Sequence, residues 1–357
     1  MTQPAVENLN VLITCVGGFF ALDTIETLRL DKELKVRVVG VDANPEVGNR
    51  FFVDSFHAVP LASENPDEFV AALLDICKGE SVDIVISGAD EEVLALSRVK
   101  KTFLDAGVRC AVEDTDKVEL TRDKFRLFQH LSKSGIPLPR FAGVCSAEDI
   151  AVQANQLGYP DRRVILKPRT GRGARGLIVL DSNVSEFTDS SEARGYGIGN
   201  LDATTEKLRG EAGPLGLMAM EYLPGPIYDV DCVATEGIPL CIVPRRRLWD
   251  TPFSRGIEGH EIVRNSEMER TTQRIAETLS LNYAFDCDFG TTEDGRPGLL
   301  EINPRWSGSV AAALAGGINI PSLLVRSMLG LPAPTVRLRV GARVFPVTRM
   351  AFPDKVN

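Results

Sequence analysis

The chain has 357 residues, 44% of them hydrophobic and 25% charged, with a formal charge of −9 at neutral pH. That length calls for two or three packed lobes, and the composition excludes a disordered or low-complexity chain. The acidic balance argues against a nucleic-acid partner, and no apolar run reaches the roughly 18 residues of a membrane span.

In chain order, the polar start from Met1 to Asn10 shows no signal-peptide pattern. The first zone, to about residue 118, alternates strands and helices. Strands are expected at Asn10–Cys15, Val36–Val41, Asp83–Ser87 and Val108–Val112, which predicts a parallel, doubly wound α/β lobe of Rossmann type. The second zone runs from 119 to 222. It opens on a helix with Thr121 as the expected N-cap and Asp123 in its first turn, stopped by Ile136-Pro137 and Pro139. Short strands follow at Phe141–Val144, Val164–Lys167 and Gly176–Leu180. A surface excursion from Asp181 to Gly216 then carries one helix near Asp202–Arg209. The third zone, 223 to 357, is expected to hold strands at Tyr228–Thr235 and Pro239–Pro244, a helix over Glu267–Leu279, a hairpin, and a helix near Ser309–Ala315. The seven cysteines are odd in number and scattered without a CxxC pair, which predicts reduced thiols in a cytoplasmic protein.

Gly17-Gly18 after a strand, with Asp42 ending the next, imitates a dinucleotide fingerprint. The GxGxxG pattern is absent, however, and Phe19 and Phe20 crowd the place where a pyrophosphate needs open backbone. A tight strand-to-helix turn is the better reading. Asp90 and Glu91 follow the carboxyl end of a strand, where open sheets bind ligands; equally, they suit a helix N-terminus.

Ile165–Gly176 reads ILKPRTGRGARG: a strand delivers Lys167, and glycines follow at 171, 173 and 176 around Ala174. Such a loop can turn backbone N–H groups toward phosphate oxygens, with Arg172 and Arg175 adding charge. It is not a Walker A loop, because its lysine precedes the glycines.

The most informative constellation is Asp288, Glu301 and Asn303. Leu299–Asn303 reads as a strand with Glu301 and Asn303 on one face. Asp294-Gly295 is a two-residue hairpin signal, and counting outward from it pairs Glu293 with Arg296 and Asp288 with Glu301. Three oxygen side chains then converge, a set suited to Mg²⁺, or Mn²⁺ in its place, shared with ATP phosphates. Asp286 is a spare candidate opposite Asn303. Phe285, Phe289, Leu299, Leu300 and Ile302 speak for a buried rather than a solvated hairpin. Arg305, two residues beyond Asn303, is placed for a transferring phosphoryl group.

Taken together, Lys124, Lys167-Pro168 with its glycine loop, Glu221-Tyr222-Leu223-Pro224-Gly225 and Glu301-Ile-Asn-Pro-Arg305 resemble ATP-grasp enzymes, most of all the carbamoyl-phosphate synthetase and biotin carboxylase branch. The hairpin spacing is also similar to that of D-alanine–D-alanine ligase. The resemblance implies a Rossmann-like lobe (1–118), an ATP-grasp N-lobe with a glycine-rich lid (119–222) and a C-lobe with the metal site (223–357). It implies that Lys124, Lys167 and the loop Gly171, Gly173, Ala174 and Gly176 meet ATP phosphates, and that Glu221, Tyr222 and Leu223 meet the adenine. It further implies that Asp288, Glu301 and Asn303 hold Mg²⁺ and that Arg305, with Lys167, acts on the γ-phosphoryl group. The family's ribose-binding glutamate is replaced by Ile227, so Asp229 or Asp231 is expected to substitute. Trp306, Ser307 and Ser309 are expected to shape an acceptor pocket. Arg245, Arg246 and Arg247 either reach the site or form a solvated edge, with Arg246 pointing away from the other two; Trp249, Arg255 and His260 are weaker candidates.

The expected function is a carboxylate–amine ligase acting through an acyl phosphate, with small-molecule acid and amine substrates; the resemblance allows a homodimer. The alternatives are bicarbonate activation, as in carbamoyl-phosphate synthetase or a carboxylase, and a nucleotide-binding regulator without turnover.

Overall fold

The computed structural model describes residues 9–171, 175–189, 196–209, 215–248 and 258–351. Arg172, Gly173, Ala174, Trp249 and Arg255 lie outside the described residues.

The first sheet has β1 (Leu9–Ile13), β2 (Val36–Asp42) and β4 (Ile84–Ile86), which carry β-branched residues, flanked by β3 (Ser55–Ala58) and β5 (Arg109–Cys110). All neighbours are parallel, in the order β3-β2-β1-β4-β5. Helices α1 (Ala21–Arg29), α2 (Pro66–Gly79), α3 (Asp90–Arg98) and α4 (Lys100–Asp105) lie between the strands in sequence. The strand order reverses between β1 and β4, so their carboxyl ends open a crevice of the kind that binds ligands in doubly wound sheets.

The segment joining the first two sheets departs from expectation. It forms two helices, α5 (Thr115–Arg122) and α6 (Lys124–Lys133). Asp123 is the cap between them: its carboxylate accepts from the backbone N–H groups of Phe125 and Arg126, both at 3.1 Å. Asp is the better cap because its acceptor is ionised. Thr121 instead donates its hydroxyl back to the carbonyls of Lys117 and Val118, inside α5.

The second sheet holds β6 (Phe141–Val144), β7 (Val164–Pro168), β8 (Ile178–Leu180), β9 (Thr188–Asp189), β10 (Gly197–Gly199) and β11 (Leu217–Glu221), ordered β6-β11-β7-β8-β10-β9. Helices α7 (Ala147–Leu157) and α8 (Leu201–Arg209) accompany it. The third comprises β12 (Tyr228–Thr235), β13 (Ile238–Arg247), β14 (His260–Ile262), β15 (Tyr283–Thr291), β16 (Pro297–Asn303) and β17 (Arg343–Val344). It is ordered β16-β15-β12-β13-β14-β17, and all its pairs are antiparallel. Helices α9 (Ser266–Leu279) and α10 (Ile320–Met328) belong to this part of the chain, and Val310–Gly316 is a 3₁₀ rather than an α-helix.

Packing fixes how the sheets meet. Leu9, Val11, Ile25 and Leu28 share one core with Val233, Val243, Trp306 and Ile320, joining the first sheet to the third. A second core, with Leu127, Phe128, Met218, Met268, Ile275, Phe285 and Phe289, clamps α6 and α9 onto β12 and β15. Among the described residues no single helix is long and apolar enough to cross a membrane.

The β15–β16 hairpin corrects one expectation while keeping its consequence. Its loop is Glu293-Asp294-Gly295: Thr292 N–H donates to the Arg296 carbonyl at 2.9 Å, and Thr291 pairs with Pro297. A three-residue loop moves the register by one. A bulge between Asp288 and Phe289 moves it back, with Phe289 opposite Leu299 but Asp288 opposite Glu301 and Asp286 opposite Asn303.

Candidate functional site

One face of the third sheet is loaded with charge. On β12, Asp229 and Asp231 project to the same side; directly across on β15 stand Asp288 and Asp286. Glu301 and Asn303 continue the face on β16, and Arg245 pairs with Asp229 from β13. A cleft of about 390 Å³ lies over this face. Its floor includes Asp229, Asp286, Asp288, Glu301, Asn303 and Arg247. Its far wall is the crevice of the first sheet, with Thr14, Cys15, Gly18, Phe19, Phe20 and Gly88. Arg175, Arg305, Trp306, Ser307 and Ser309 complete the lining. The Gly17-Gly18 turn therefore faces the cleft, although it is no dinucleotide fingerprint.

Several sequence-predicted residues meet around Glu301. Lys124, the first residue of α6, donates its ammonium to the Gly171 carbonyl at 2.6 Å and pairs with Glu301 at 3.3 Å. Its backbone N–H also donates to the Arg169 carbonyl, so the glycine loop is tied at its base to α6. At the loop's two described glycines, Gly171 and Gly176, φ is +119° and +71°, conformations that side chains resist. Lys167 reaches from β7 to the Leu300 carbonyl at 2.8 Å. Burial and the neighbouring Lys124 push its ammonium down to about 7. Arg305 pairs with Asp90 at 2.8 Å, so Asp90, the first residue of α3, holds the guanidinium at the cleft wall.

Where β11 ends, Glu221 accepts from Arg140 at 3.0 Å and Tyr222 lies under Arg163. Leu223 is buried against Gly290 and Gly298, which face each other across β15 and β16. A Cβ on either glycine would come within 2.9 Å of the Leu223 side chain.

Electrostatics separates the carboxylates. Burial raises Asp229, but Arg247, His260 and Arg245 outweigh it and hold the group well below the usual range. Burial and then Asp231 and Asp229 push Asp286 up to about 8. Burial and Asp286 push Asp288 well above its usual value. Glu301, equally buried, stays low because Lys124 and Lys167 face it. The three aspartates at 229, 286 and 288 offer oxygens that all lie within 4.8 Å of one another.

Three weaker candidates of the sequence, Arg245, Arg247 and His260, stand beside the acid face. Arg245 is fully buried: it pairs with Asp231 at 2.7 Å and donates to Ser307 and Ser309 at 2.9 and 3.0 Å. Arg247 forks onto Asp229 and reaches Asp288 at 3.4 Å. Neither stands on a solvated edge, while Arg246 does turn away, to Glu261. His260 donates its Nε2–H to the Asp229 carboxylate at 2.8 Å, is itself buried and does not line the cleft. Asp229 thus sits among the acids at the floor of the cleft. Glu92 was missed altogether. Thr14 and Ser87 donate their hydroxyls to it, and Gly88 N–H donates to Thr14, which ties the carboxyl ends of β1 and β4 together behind the cleft. The only signal was its place three residues after Ala89, at the start of α3.

A pH test follows. The raised Asp286 keeps a proton in the folded state that the unfolded chain has lost above about pH 4, so folding is progressively penalised as pH rises toward about 8. Asp286→Asn removes that penalty. In metal-free buffer its gain in melting temperature over the parent should widen steadily from pH 5 to pH 7. A constant gain would show that Asp286 does not titrate there.

Residues 11–111 match the family model "PylC-like, N-terminal domain", and residues 215–350 match "ATP-grasp in the biosynthetic pathway with Ter operon". The carbamoyl phosphate synthase large chain of Agathobacter rectalis is 22% identical over 303 residues, covering 81% of this chain and 26% of that protein. In the first curated relatives the chain spans from about a quarter to 57% of their length. Among solved structures, the biotin carboxylase of Campylobacter jejuni, as its β,γ-ATP complex, superposes with a TM-score of 0.68 at 16% identity, covering 92% of this chain and 73% of that one. The L-amino acid ligase of Bacillus licheniformis gives 0.61 at 17%, covering 90% and 74%. With an ATP-grasp match over residues 215–350, a PylC-like match over residues 11–111 and a fold shared with biotin carboxylase, the chain is similar to the ATP-grasp ligases of the carbamoyl-phosphate synthase and biotin carboxylase branch.

Proposed function

We propose that the protein is an ATP- and Mg²⁺-dependent carboxylate–amine ligase that forms an amide through an acyl phosphate. The observation that carries the reading is that Asp288, Glu301, Asn303 and Arg305 line one cleft, with Lys124 paired to Glu301 and Lys167 on the neighbouring Leu300 carbonyl. The donor set is all oxygen and includes paired acids, which fits Mg²⁺. When bound, the ion would offset charge on the phosphates of ATP.

The residues divide the work. Lys124, Lys167 and the glycine loop hold the phosphates, and the Glu221–Leu223 hinge receives the adenine. Arg305, fixed by Asp90, steadies the γ-phosphoryl group. A substrate carboxylate oxygen attacks the γ-phosphorus, the bond to the β,γ-bridging oxygen breaks, and ADP leaves. An amine nitrogen then attacks the acyl carbon, the bond from that carbon to the phosphate oxygen breaks, and the nitrogen loses a proton. What the protein supplies is placement and charge, in a cleft lined by Phe19, Phe20 and Trp306. The test is a screen of amino acids and small carboxylates, alone and with amines, for ADP release. The reading expects release to depend on one acid and to rise with one amine; release that depends on bicarbonate would assign the carboxylase-like alternative.

A further inference from the structure

We propose that Asp229, Asp286 and Asp288 form a divalent-cation site of their own, which takes up Mg²⁺ or Mn²⁺ before any nucleotide arrives. It is distinct from the Asp288, Glu301 and Asn303 set assigned above to the nucleotide's metal, and shares only Asp288 with it.

The first observation is geometric. The three carboxylates project from adjacent strands at the centre of an antiparallel sheet, with Asp229 directly opposite Asp288 and Asp286 two residues along. Their ligand oxygens lie within 4.8 Å of one another. Six oxygens at about 2.1 Å around a magnesium ion stand roughly 3.0 to 4.2 Å apart, so the cluster needs only slight closure.

The second observation is independent of the first. Asp286 is 3% exposed, lines the cleft, and its Oδ1 has no hydrogen-bond partner. Its other oxygen receives only the Asn303 amide, at 3.4 Å. A buried carboxylate oxygen without a donor is costly and marks a missing partner.

Charge points the same way. Around Asp286 stand Asp229, Asp231 and Asp288, faced by the guanidiniums of Arg245 and Arg247. Glu301 is matched by Lys124, and Arg305 by Asp90. If all four are ionised, the carboxylates outnumber the two guanidiniums by two, and one divalent ion is the counter-charge that balances them. Arg247 and His260 fix the Asp229 carboxylate, as neighbours of metal-ligating carboxylates ordinarily do. Hard oxygen donors select Mg²⁺ or Mn²⁺ over softer metals. The remaining coordination positions open on the cleft, where water or an oxygen donor of the acceptor substrate can fill them.

The test needs no nucleotide and no known substrate, so its outcome is separate from that of the ligase reading. Mn²⁺ is titrated into the nucleotide-free protein and the free ion is followed by electron paramagnetic resonance. We expect one bound Mn²⁺, weakened by about tenfold or more in Asp286→Asn and changed by less than about threefold in Glu301→Gln. Mn²⁺ should raise the melting temperature of the parent but not of Asp286→Asn, whose metal-free form should melt no lower than the parent. The proposal is overturned if the parent binds no Mn²⁺ without nucleotide, if Glu301→Gln loses it equally, or if Asp286→Asn retains it.

Discussion

Glu301→Gln should lower ADP release by about 100-fold or more at saturating Mg²⁺, with the fold intact. Glu301 stands directly opposite Asp288 and pairs with Lys124 at 3.3 Å. It is therefore the one carboxylate that joins the oxygen set to the lysines on the phosphate side. Glutamine keeps the shape and a hydrogen-bonding oxygen, but removes the charge that holds both a cation and Lys124. Asp288→Asn should act similarly, and Asp286→Asn should cost less, about tenfold at most, because Asp286 lies two pairs further along the strands from Glu301. ADP release within twofold of the parent in Glu301→Gln would remove this residue from the proposed machinery. Unchanged thermal unfolding separates a chemical loss from a structural one.

Arg245→Met should destabilise the protein by ~3–5 kcal/mol, the largest stability effect expected of a single change at the site. The guanidinium is fully buried, pairs with Asp231 at 2.7 Å and donates to two serines of the segment after β16. Removing it strands Asp231 without its counter-charge and frees Ser307 and Ser309. The double variant Arg245→Met/Asp231→Leu should recover most of the loss, because two apolar groups of similar size leave no buried charge unpaired. Urea unfolding of both variants reads the effect directly. A single variant within about 1 kcal/mol of the parent would mean that this pair does not hold the sheet face together.

How far the sequence foretold this site depended on two β-bulges. In β15–β16 the expected two-residue loop is in fact three residues long, and the bulge at Asp288/Phe289 restores the register, so Asp288 still faces Glu301. In β12–β13 the turn is Glu236-Gly237, both with positive φ, and Thr235 pairs with Ile238. Counting outward from that turn puts Pro244, not Arg245, opposite Asp229. A bulge near Val233/Ala234 shifts the strand by one and carries Arg245 and Arg247 onto the acid face. No residue type in Pro239–Val243 announces that bulge, which is why a solvated edge remained a competing reading. The Rossmann-like lobe was legible because its apolar runs are short and sharply bounded. The α5–α6 break was not, since Thr121 and Asp123 are both good caps and only the ionised one was used. Asp90 could be read as a ligand-facing acid or a helix-terminal acid; the fold makes it the first residue of α3 and the partner of Arg305.

Charge should develop at the γ-phosphorus of ATP, since Asp288, Glu301, Asn303 and Arg305 line the same cleft. The most direct measurement is the nucleotide product formed with the acid found in the screen, with hydroxylamine in place of the amine. The account predicts ADP and inorganic phosphate, together with the hydroxamate of that acid, formed in equal amounts. AMP and pyrophosphate as the stoichiometric products would contradict it, because adenylation develops charge at the α-phosphorus.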